Sequence, residues 1–407
     1  MRTCLLLIFL LLLPPACRAT VSTWIGNGTS GYINGSLSNA RLYEPVGLFR
    51  DKTGTLYLAD SRNNRIRKID PAGNVSLLAG SGTAGFQDGA PTTARFNGSF
   101  NLTADDSGNV YVADFSNQRI RKISPAGNVT TIAGSGQEGY ADGPALSAKF
   151  DYPRGIVLDK SGNLYIGDSW NHRIRKIDLK TNQVTTYAGG GQAMGVQVEG
   201  GYLDASDTAA RFNTPCGLSI DPDGNIYVAD ANNHRIRKID ALRRVTTISG
   251  SGPVGKVNGG FMNGAFSVAR LNTPTEICYT NLGFLLIGDT YNNRVRKLLS
   301  DGSLSTLAGN GTAGRVDGAD SIAQFNYPRG VAVNSAGDSV FVADFNNHSI
   351  RLIRTQVSTG ITTPATRRYD SPFEIRIYSV NGKLVYGRQP SSEMRMFPLT
   401  RRIRPGN

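Results

Sequence analysis

Nearly the same stretch of sequence occurs six times in this chain of 407 residues. Each copy contains a short apolar run that ends at an aspartate, then a polar turn, then a second apolar run, as in LYIGDSWNHRIRKID at 164–178. The aspartates that end the first run are Asp60, Asp114, Asp168, Asp230, Asp289 and Asp344. A period sustained at intervals of 54 to 62 residues is typical of repeat architectures, in which each unit buries its apolar face against its neighbours.

Four short β-strands are predicted in every repeat. The two runs around the aspartate are rich in β-branched residues, and the Asn and Asp residues between them tolerate turn conformations, so together they predict a hairpin. A third run precedes the hairpin, as in PRGIVLD at 153–159, and a fourth follows it, as in QVTTYAG at 183–189. Four-stranded sheets repeated around an axis form a β-propeller. We therefore expect an all-β fold, a six-bladed β-propeller of four-stranded blades.

The repeat resembles that of the NHL-repeat family. The resemblance rests on the Pro-x-Gly start of the first strand, on the Tyr-Val-Ala-Asp strand and on the Asn-His-Arg-Ile turn, and it extends from Leu42 to Ile353. It implies a β-propeller of the kind that mostly binds partners. With the N-terminal segment described next, it indicates a secreted NHL repeat-containing protein.

Three segments are predicted along the chain. Residues 1–19 are interpreted as a signal peptide, because Arg2 precedes the apolar run Leu5–Leu13, which is too short to span a bilayer. Residues 20–354 form the propeller, and residues 355–407 form a basic linker and a C-terminal tail. We therefore expect a protein that is secreted or extracellular, has no membrane span and is monomeric.

Two segments outside the complete repeats have strand patterns of their own. Val21–Gly26 resembles a fourth strand but precedes the first repeat, whereas the sixth repeat, which ends near Ile353, lacks a fourth strand. We predict that this segment completes the last blade, because closing the ring removes exposed sheet edges. At 374–386, Asn381 and Gly382 separate two alternating runs, which predicts a short C-terminal β-hairpin.

The connections between repeats are long and glycine-rich, and each ends in an apolar residue that we predict to anchor the joint between two blades. These residues are Leu42, Phe96, Phe150, Phe212, Leu271 and Phe325. Most sequence variation lies in these connections, and loops on a rigid scaffold commonly carry binding residues. We therefore predict that a protein or carbohydrate ligand contacts the face with the connections and the Asp-x-x-Asn-His turns. The candidate binding residues on that face are Trp170, His172, His234, Tyr291 and His348.

The formal net charge of +13 comes in large part from an Arg-x-Arg-Lys triplet that recurs in five repeats. One interpretation is a basic ring that binds polyanions, a sulfated polysaccharide rather than RNA, because aromatic clusters for stacking single strands are lacking. Its candidate residues are Lys68, Lys122, Lys176, Lys238 and Lys297. The other interpretation is structural: the first arginine pairs with the repeat aspartate, and the remaining side chains are solvated above apolar neighbours. The fivefold repetition favours the structural interpretation, and nucleic acid is not expected as a partner.

Catalytic residues are sought where the repeats differ, because an active site usually breaks repeat symmetry. Two residues after the proline position, four repeats have glycine, whereas the other two have Asn101 and Glu276. A carboxyl group at the mouth of the channel is the basis of one alternative, a propeller enzyme of the hydrolase or lyase type. The three histidines occupy the same turn position in different repeats, so they cannot share a zinc ion. Because no paired carboxylates, activated nucleophile or metal cluster is evident, we predict a non-catalytic scaffold with no metal and no cofactor.

Cysteines and sequons determine whether an exported chain can form disulfides or carry glycans. Without residues 1–19 only Cys216 and Cys278 remain, and their positions in the repeat differ by three residues, roughly 10 Å along a strand. We therefore expect two buried free thiols, with a disulfide as the alternative. In a eukaryotic secretory pathway, Asn-x-Ser/Thr sequons are candidate glycosylation sites. The candidate acceptors are Asn27, Asn34, Asn74, Asn128, Asn310 and Asn347.

Overall fold

The computed structural model describes residues 19–190, 200–255 and 258–355, together with the backbone of two strands at 375–378 and 384–388. Within the first three ranges, the six repeats form six antiparallel sheets whose innermost strands adjoin one another in a closed ring. The chain is therefore a six-bladed β-propeller with four-stranded blades, as the repeat predicts.

The strands follow one another along the chain from blade to blade. The first two are β1 (Ala19–Ile25) and β2 (Gly35–Ser36). Blade 1 has β3 (Pro45–Arg50), β4 (Leu56–Asp60), β5 (Arg65–Ile69) and β6 (Asn74–Ala79). Blade 2 has β7 (Leu102–Ala104), β8 (Val110–Asp114), β9 (Arg119–Ile123) and β10 (Val129–Ala133). Blade 3 follows β11 (Gly143–Pro144) and has β12 (Pro153–Leu158), β13 (Asn163–Asp168), β14 (Arg173–Asp178) and β15 (Gln183–Ala188).

The second half of the ring repeats this order. Blade 4 has β16 (Pro215–Ile220), β17 (Ile226–Asp230), β18 (Arg235–Ile239) and β19 (Val245–Ser249). Blade 5 has β20 (Pro274–Tyr279), β21 (Leu285–Asp289), β22 (Arg294–Leu298) and β23 (Leu304–Ala308). Blade 6 follows β24 (Gly318–Ala319) and has β25 (Pro328–Val333), β26 (Ser339–Asp344) and β27 (Ser349–Thr355). In blades 1 to 5 the strands run from the channel outward in chain order, and we number them first to fourth; in blade 6 the fourth strand is β1.

The helices of the described residues are 3₁₀ turns of three residues each. They are Ser61–Asn63, Phe115–Asn117, Asp207–Ala209, Ala231–Asn233, Thr290–Asn292 and Phe345–Asn347. In the described part of the chain, no helix is long and apolar enough to cross a membrane. All but the Asp207–Ala209 turn lie directly after a second strand, on the face that we call the top face, where the inter-blade connections also enter the first strands. The opposite face, which carries the turns between first and second strands, is the bottom face.

The strand β1 closes the ring. It pairs antiparallel with β27, the third strand of blade 6, so that Val21 lies opposite Ile353. Its outer edge pairs in turn with β24. The connection that precedes each other blade covers that blade's fourth strand in the same way, as β2, β11 or a single bridge. The predicted N-terminal closing strand is confirmed, and the covered edges protect the blades from edge-to-edge aggregation.

The apolar core lies mainly between neighbouring blades. The cluster between blades 1 and 2 packs Ile66 and Ala79 of one blade against Leu102 and Val110 of the other, around Phe96. Phe96 and its five equivalents at the ends of the connections are completely buried. These residues are therefore the joint anchors that the sequence predicts.

A buried ion pair recurs inside every blade. In blade 3, Nη1 of Arg175 lies 2.7 Å from Oδ2 of Asp168, and both side chains are completely buried. The same oxygen accepts a hydrogen bond from the side-chain amide of Asn171, and Oδ1 accepts the backbone N–H of Asp151. The equivalent pairs are Asp60–Arg67, Asp114–Arg121, Asp230–Arg237, Asp289–Arg296 and Asp344–Arg351.

The paired arginine is the second of each triplet, which corrects the expectation that the first arginine pairs with the aspartate. Arg173, the first arginine in blade 3, lies directly opposite Asp168 in the strand register. Its guanidinium group nevertheless donates to the backbone carbonyl of Asn171 and lies over the Tyr140 ring, at 4.2 Å from its centroid. The first arginine therefore stabilises the turn, and the second neutralises the aspartate.

One turn residue in each blade binds the start of the next blade. Nδ1 of His172 accepts the backbone N–H of Thr214 at the start of blade 4. Nδ1 of His348 accepts the backbone N–H of Glu44 and so joins blade 6 to blade 1. The same bond is accepted by the side chains of Asn64, Gln118, His234 and Asn293 in the other blades. We call these six contacts the inter-blade bonds.

The C-terminal residues 359–407 form a separate compact unit. In it, β28 (Ile375–Tyr378) and β29 (Leu384–Arg388) pair antiparallel, with Ile375 opposite Arg388, which confirms the predicted hairpin. The turn at 381–383, the linker at 356–374 and residues 1–18 of the predicted signal peptide lie outside the described residues.

Candidate functional site

The first strands approach one another closely around the channel. A β-carbon at Gly155 would overlap the backbone carbonyl oxygen of Cys216 on the next blade, and one at Gly330 would overlap that of Val46. The close approach of neighbouring backbones therefore accounts for the glycines two residues after the proline position.

Asn101 and Glu276 replace glycine at two opposite points of the ring, in blades 2 and 5, and meet across the channel. Nδ2 of Asn101 donates a hydrogen bond of 2.7 Å to Oε2 of Glu276. Oδ1 of Asn101 accepts the backbone N–H of Leu102, whereas Oε1 of Glu276 has no hydrogen-bond partner among the described residues. The two predicted catalytic candidates therefore bind each other.

Glu276 is 3% exposed, and burial raises its pKa to about 8, although the charges of Arg329 and Arg154 oppose the rise. The carboxyl group is consequently largely protonated at neutral pH. It lies, with Asn101, in a depression of about 490 Å³ on the bottom face. The other carboxylate in this lining, Asp51, accepts hydrogen bonds within its own turn. Among the described residues, no three His, Cys, Asp or Glu side chains are placed to hold a metal ion.

A larger depression, of about 990 Å³, opens on the top face. Its wall includes side chains from the turns after the second strands, among them Phe115, Trp170, Tyr291 and Phe345. Because these turns begin and end on buried strands, the wall is a rigid part of the propeller. We call this feature the top-face depression.

The top-face depression is lined by Arg62 and by two further arginines, Arg154 and Arg329. Each follows the proline that starts a first strand, in the opposite blades 3 and 6, where the other repeats have uncharged residues. The guanidinium carbons lie 5.2 Å and 5.6 Å from the centroid of one ring, that of Phe100. The two charges therefore converge on the same part of the depression.

The two guanidinium groups have few protein partners. Nη1 of Arg154 donates to Sγ of Cys216 at 3.1 Å, and its Nε is buried without an acceptor. Arg329 packs over the Phe345 ring at 3.6 Å, and its buried Nε also lacks an acceptor among the described residues. Burial and the neighbouring charge of Arg154 lower the pKa of Arg329 to about 10, so the Arg329 guanidinium remains charged at neutral pH.

Aromatic rings extend in a row from the floor to the rim of the top-face depression. The centroids of Phe100 and Phe115 are 5.8 Å apart, and those of Phe115 and Tyr152 are 4.7 Å apart. Tyr152 lies in turn 4.3 Å from Trp170, which is 45% exposed. This row offers flat apolar surface directly beside the two positive charges.

The predicted binding residues divide into two groups. Trp170 and Tyr291 line the top-face depression, and both are exposed. The histidines do not line it: Nδ1 of His172, His234 and His348 accepts the inter-blade bonds, so their role in this structure is to join blades. Burial lowers the pKa of His234 and His348.

The five lysines of the triplets are half-buried on the third strands, and none lines the top-face depression. Lys297 lies 4.1 Å from the centroid of the Phe284 ring, and Lys238 lies 5.8 Å from that of Tyr227. Their stems therefore cover apolar surface, as the structural interpretation expects.

Two further predictions concern side-chain chemistry. Cys216 and Cys278 are free thiols; Cys216 is buried as predicted, whereas Cys278 is half-buried. Five of the candidate glycosylation acceptors are exposed, but Asn347 is 9% exposed and its amide nitrogen donates to Oδ2 of Asp344 and to the carbonyl of Gly314. This nitrogen is fully engaged in the fold, so we withdraw Asn347 as an acceptor.

Arg154 and Arg329 are the site residues that sequence analysis missed. The signal was present one residue before the position that identifies Asn101 and Glu276, because arginine appears there in only two repeats. What the sequence does not indicate is that opposite blades bring these two arginines to one aromatic ring.

Comparison with known proteins identifies the repeat. The NHL repeat model matches residues 150–177, 212–239 and 325–351. The chain is 31% identical to Protein SUPPRESSOR OF QUENCHING 1, chloroplastic, of Arabidopsis thaliana, over 66% of this chain and 26% of that protein. It is also 31% identical to NHL repeat-containing protein 2 of Bos taurus, over 77% of this chain and 46% of that protein. The chain thus spans less than half the length of these relatives.

The fold is similar to that of solved structures. An auxiliary nutrient binding protein from Bacteroides thetaiotaomicron matches with a TM-score of 0.62 and 18% identity, over 82% of this chain and 76% of that chain. At this identity the likeness concerns the fold alone. The matched repeats, the relatives and the six blades agree, and the chain is an NHL-repeat protein whose repeats form a six-bladed β-propeller.

Proposed function

We propose that this protein is a secreted, non-catalytic binding scaffold that holds a protein or glycan ligand on the top face of its propeller. The NHL propeller supports a binding role in general. The single observation that carries the proposal is the top-face depression, where the exposed rings of Trp170 and Tyr291 stand on rigid turns above a floor with two arginines. Exposed aromatic and arginine side chains around a concavity are typical of binding hot spots.

Export is part of the proposal and is supported by the N-terminal sequence, in which Arg2 precedes the apolar run Leu5–Leu13. The test is expression in secretory cells of the full chain and of a chain that lacks residues 2–19. The full chain is expected in the medium, and the shortened chain is expected to stay in the cells. Equal amounts of both in the medium would contradict export by this segment.

The binding role is tested by screening the purified chain against a glycan array and an array of extracellular proteins. Ligands found there are then titrated with Trp170→Ala and Tyr291→Ala, and with Leu282→Ala as the matched control. Leu282 is 61% exposed but lies on the bottom face, in the turn between β20 and β21. We expect the top-face variants to weaken binding at least about tenfold and the control to leave it unchanged. Equal losses in all three variants, or no loss in any, would contradict the proposal.

An enzyme of the hydrolase or lyase type is the second candidate, because Glu276 is a buried, protonated acid at the floor of the bottom-face depression. Perturbed carboxyl groups in cavities are common in active sites. Ester, lactone and glycoside panels assayed with wild type and Glu276→Gln separate the candidates. We expect no turnover by either chain; turnover by wild type that Glu276→Gln abolishes would establish the enzyme instead.

A further inference from the structure

The charges in the top-face depression do not balance within the protein. Its lining contains three arginines, of which Arg62 pairs with Glu44 at 3.1 Å. Arg154 and Arg329 make no ion pair with any described residue. Oε2 of the nearby Glu276 accepts its hydrogen bond from Asn101 instead. Two adjacent cations thus face a cavity in whose lining the one carboxylate, Glu44, is already paired with Arg62.

Such an arrangement is unfavourable in the unliganded protein. The two guanidinium groups repel each other, and the buried Nε atoms lack acceptors. Guanidinium groups match carboxylate oxygens in shape and charge, so an anion placed between the two arginines would offset their mutual repulsion. Two like charges that destabilise the unliganded protein and are neutralised by a bound ligand are typical of a binding site.

The wall indicates what the anion is attached to. The rings of Phe100 and Phe115 lie beside the arginines, and the row continues to Trp170 at the rim. Such flat surfaces pack well against the faces of sugar or aromatic rings. A volume of about 990 Å³ accommodates a small ring-shaped molecule and leaves the rim free for further contacts.

We propose that the top-face depression binds a small ring-shaped acid, whose carboxylate lies between Arg154 and Arg329 while its ring packs against Phe100 and Phe115. This inference rests on the proposed function, since it assigns a ligand chemistry to the same face. The carboxylate belongs either to an acidic sugar or to an aromatic acid. Both sources share the recognition by arginine and differ in the ring that faces the wall.

Two matched probe pairs test the proposal, each pair differing in the carboxylate. Glucuronate is compared with glucose, and phenylacetate with 2-phenylethanol, by titration against the intact chain up to about 10 mM. Intrinsic fluorescence reports binding, because Trp170 lies in the wall and the second tryptophan, Trp24, packs against Phe341 in the core. We expect saturable quenching or enhancement by at least one acid, none by its neutral partner, and no signal in Trp170→Phe. The pair that responds identifies the source.

Variants locate the carboxylate. Arg329→Gln and Arg154→Gln are expected to weaken binding of the acid about tenfold or more, and Arg50→Gln, in the lining of the bottom-face depression, is the matched control and is expected to bind normally. Arg329→Gln is also expected to melt at the same temperature as wild type or higher, because it removes an unpaired cation. A purely structural arginine would instead lower the melting temperature when replaced.

The proposal is overturned if neither acid saturates the fluorescence change, if the neutral partners bind equally, or if Arg50→Gln loses as much affinity as Arg329→Gln. Failure of this inference differs from failure of the proposed function. If array ligands still depend on Trp170 and Tyr291 while the acids do not bind, the scaffold role stands and only the assigned chemistry is wrong.

Discussion

The side-chain amide of Asn101 donates a 2.7 Å hydrogen bond to Oε2 of Glu276 from the opposite side of the channel. The two residues are 175 positions apart in the sequence and belong to blades 2 and 5. The other four blades have glycine at this position, because neighbouring backbones leave no room there for a side chain. The bond therefore joins two opposite blades directly across the channel.

The first prediction concerns the pH dependence of stability at Glu276. Burial raises its folded-state pKa to about 8 from 4.5, so the folded chain holds a proton that the unfolded chain releases. Stability is therefore lost as pH rises through this interval, by about 1.4 kcal/mol for each unit of pKa elevation. Glu276→Gln keeps a side-chain oxygen that accepts the hydrogen bond from Asn101, but it does not titrate. Its stability should therefore not fall in this pH interval. Denaturant unfolding from about pH 5 to about pH 9 should show its advantage over wild type growing with pH; parallel curves would contradict the raised pKa.

The second prediction separates the two interpretations of the basic triplets. Asp168→Asn leaves the completely buried Arg175 without its anion, and breaking such a pair typically costs about 3–5 kcal/mol of unfolding free energy. Lys176→Gln, one residue after that arginine, should cost less than about 1 kcal/mol. Equilibrium unfolding in urea measures both. Comparable small losses would show that the ion pair contributes little, and retention on heparin lost only in lysine variants would favour the polyanion interpretation.

The third prediction tests ring closure within a single strand. In β1, Val21 is 3% exposed and faces the core of the last blade joint, whereas its neighbour Ser22 is exposed. Val21→Asp should lower stability by about 3 kcal/mol or more, because it buries an unpaired charge. Ser22→Asp is the matched control and should change stability by less than about 0.5 kcal/mol. If both variants melt like wild type, β1 does not close the ring in solution.

The fourth prediction concerns the inter-blade bonds. Burial lowers the pKa of His234 and His348 below 6.5, so the unfolded chain takes up protons first and stability falls as pH falls below about 6.5. Protonation of Nδ1 would also remove the acceptor of the bond. Asparagine accepts this bond in blades 1 and 5, so the double variant His234→Asn/His348→Asn should fold normally and lose part of the acid sensitivity. Thermal melts at about pH 5 and about pH 8 test this, and an unchanged difference between the two would refute it.

Much of the fold can be predicted from the sequence, because the same pattern of strands and turns recurs in six repeats. The strands, the closing strand and the joint anchors such as Phe96 agree with the structure, since alternation and turn residues determine which side chains face the core. Which arginine of each triplet pairs with the repeat aspartate could not be predicted in this way. Arg173 and Arg175 lie on the same face of a strand, and only the path of the turn directs Arg173 to the carbonyl of Asn171.

Contacts between residues far apart in the chain could not be predicted from the sequence either, because they depend on the geometry of the folded ring. Blade 6 begins its third strand with Ser349 instead of arginine, and Arg315 supplies the missing guanidinium by donating to the carbonyl of Asn27. Asn101 and Glu276 are recognisable in the sequence as exceptions to the repeat, but their contact depends on the width of a six-bladed channel. The position that holds Arg154 and Arg329 was visible as an exception too, yet its meaning depends on the same geometry.

A hydrogen-exchange footprint of the chain with a ligand from the array screen tests the claim that the ligand binds on the top face. We expect slower exchange in the turns at Phe115–Asn117, Thr290–Asn292 and Phe345–Asn347, with unchanged exchange at 159–163 and 221–225 on the bottom face. Protection confined to the bottom-face turns, around the depression that contains Glu276, would contradict the claim and would favour a site at that mouth of the channel.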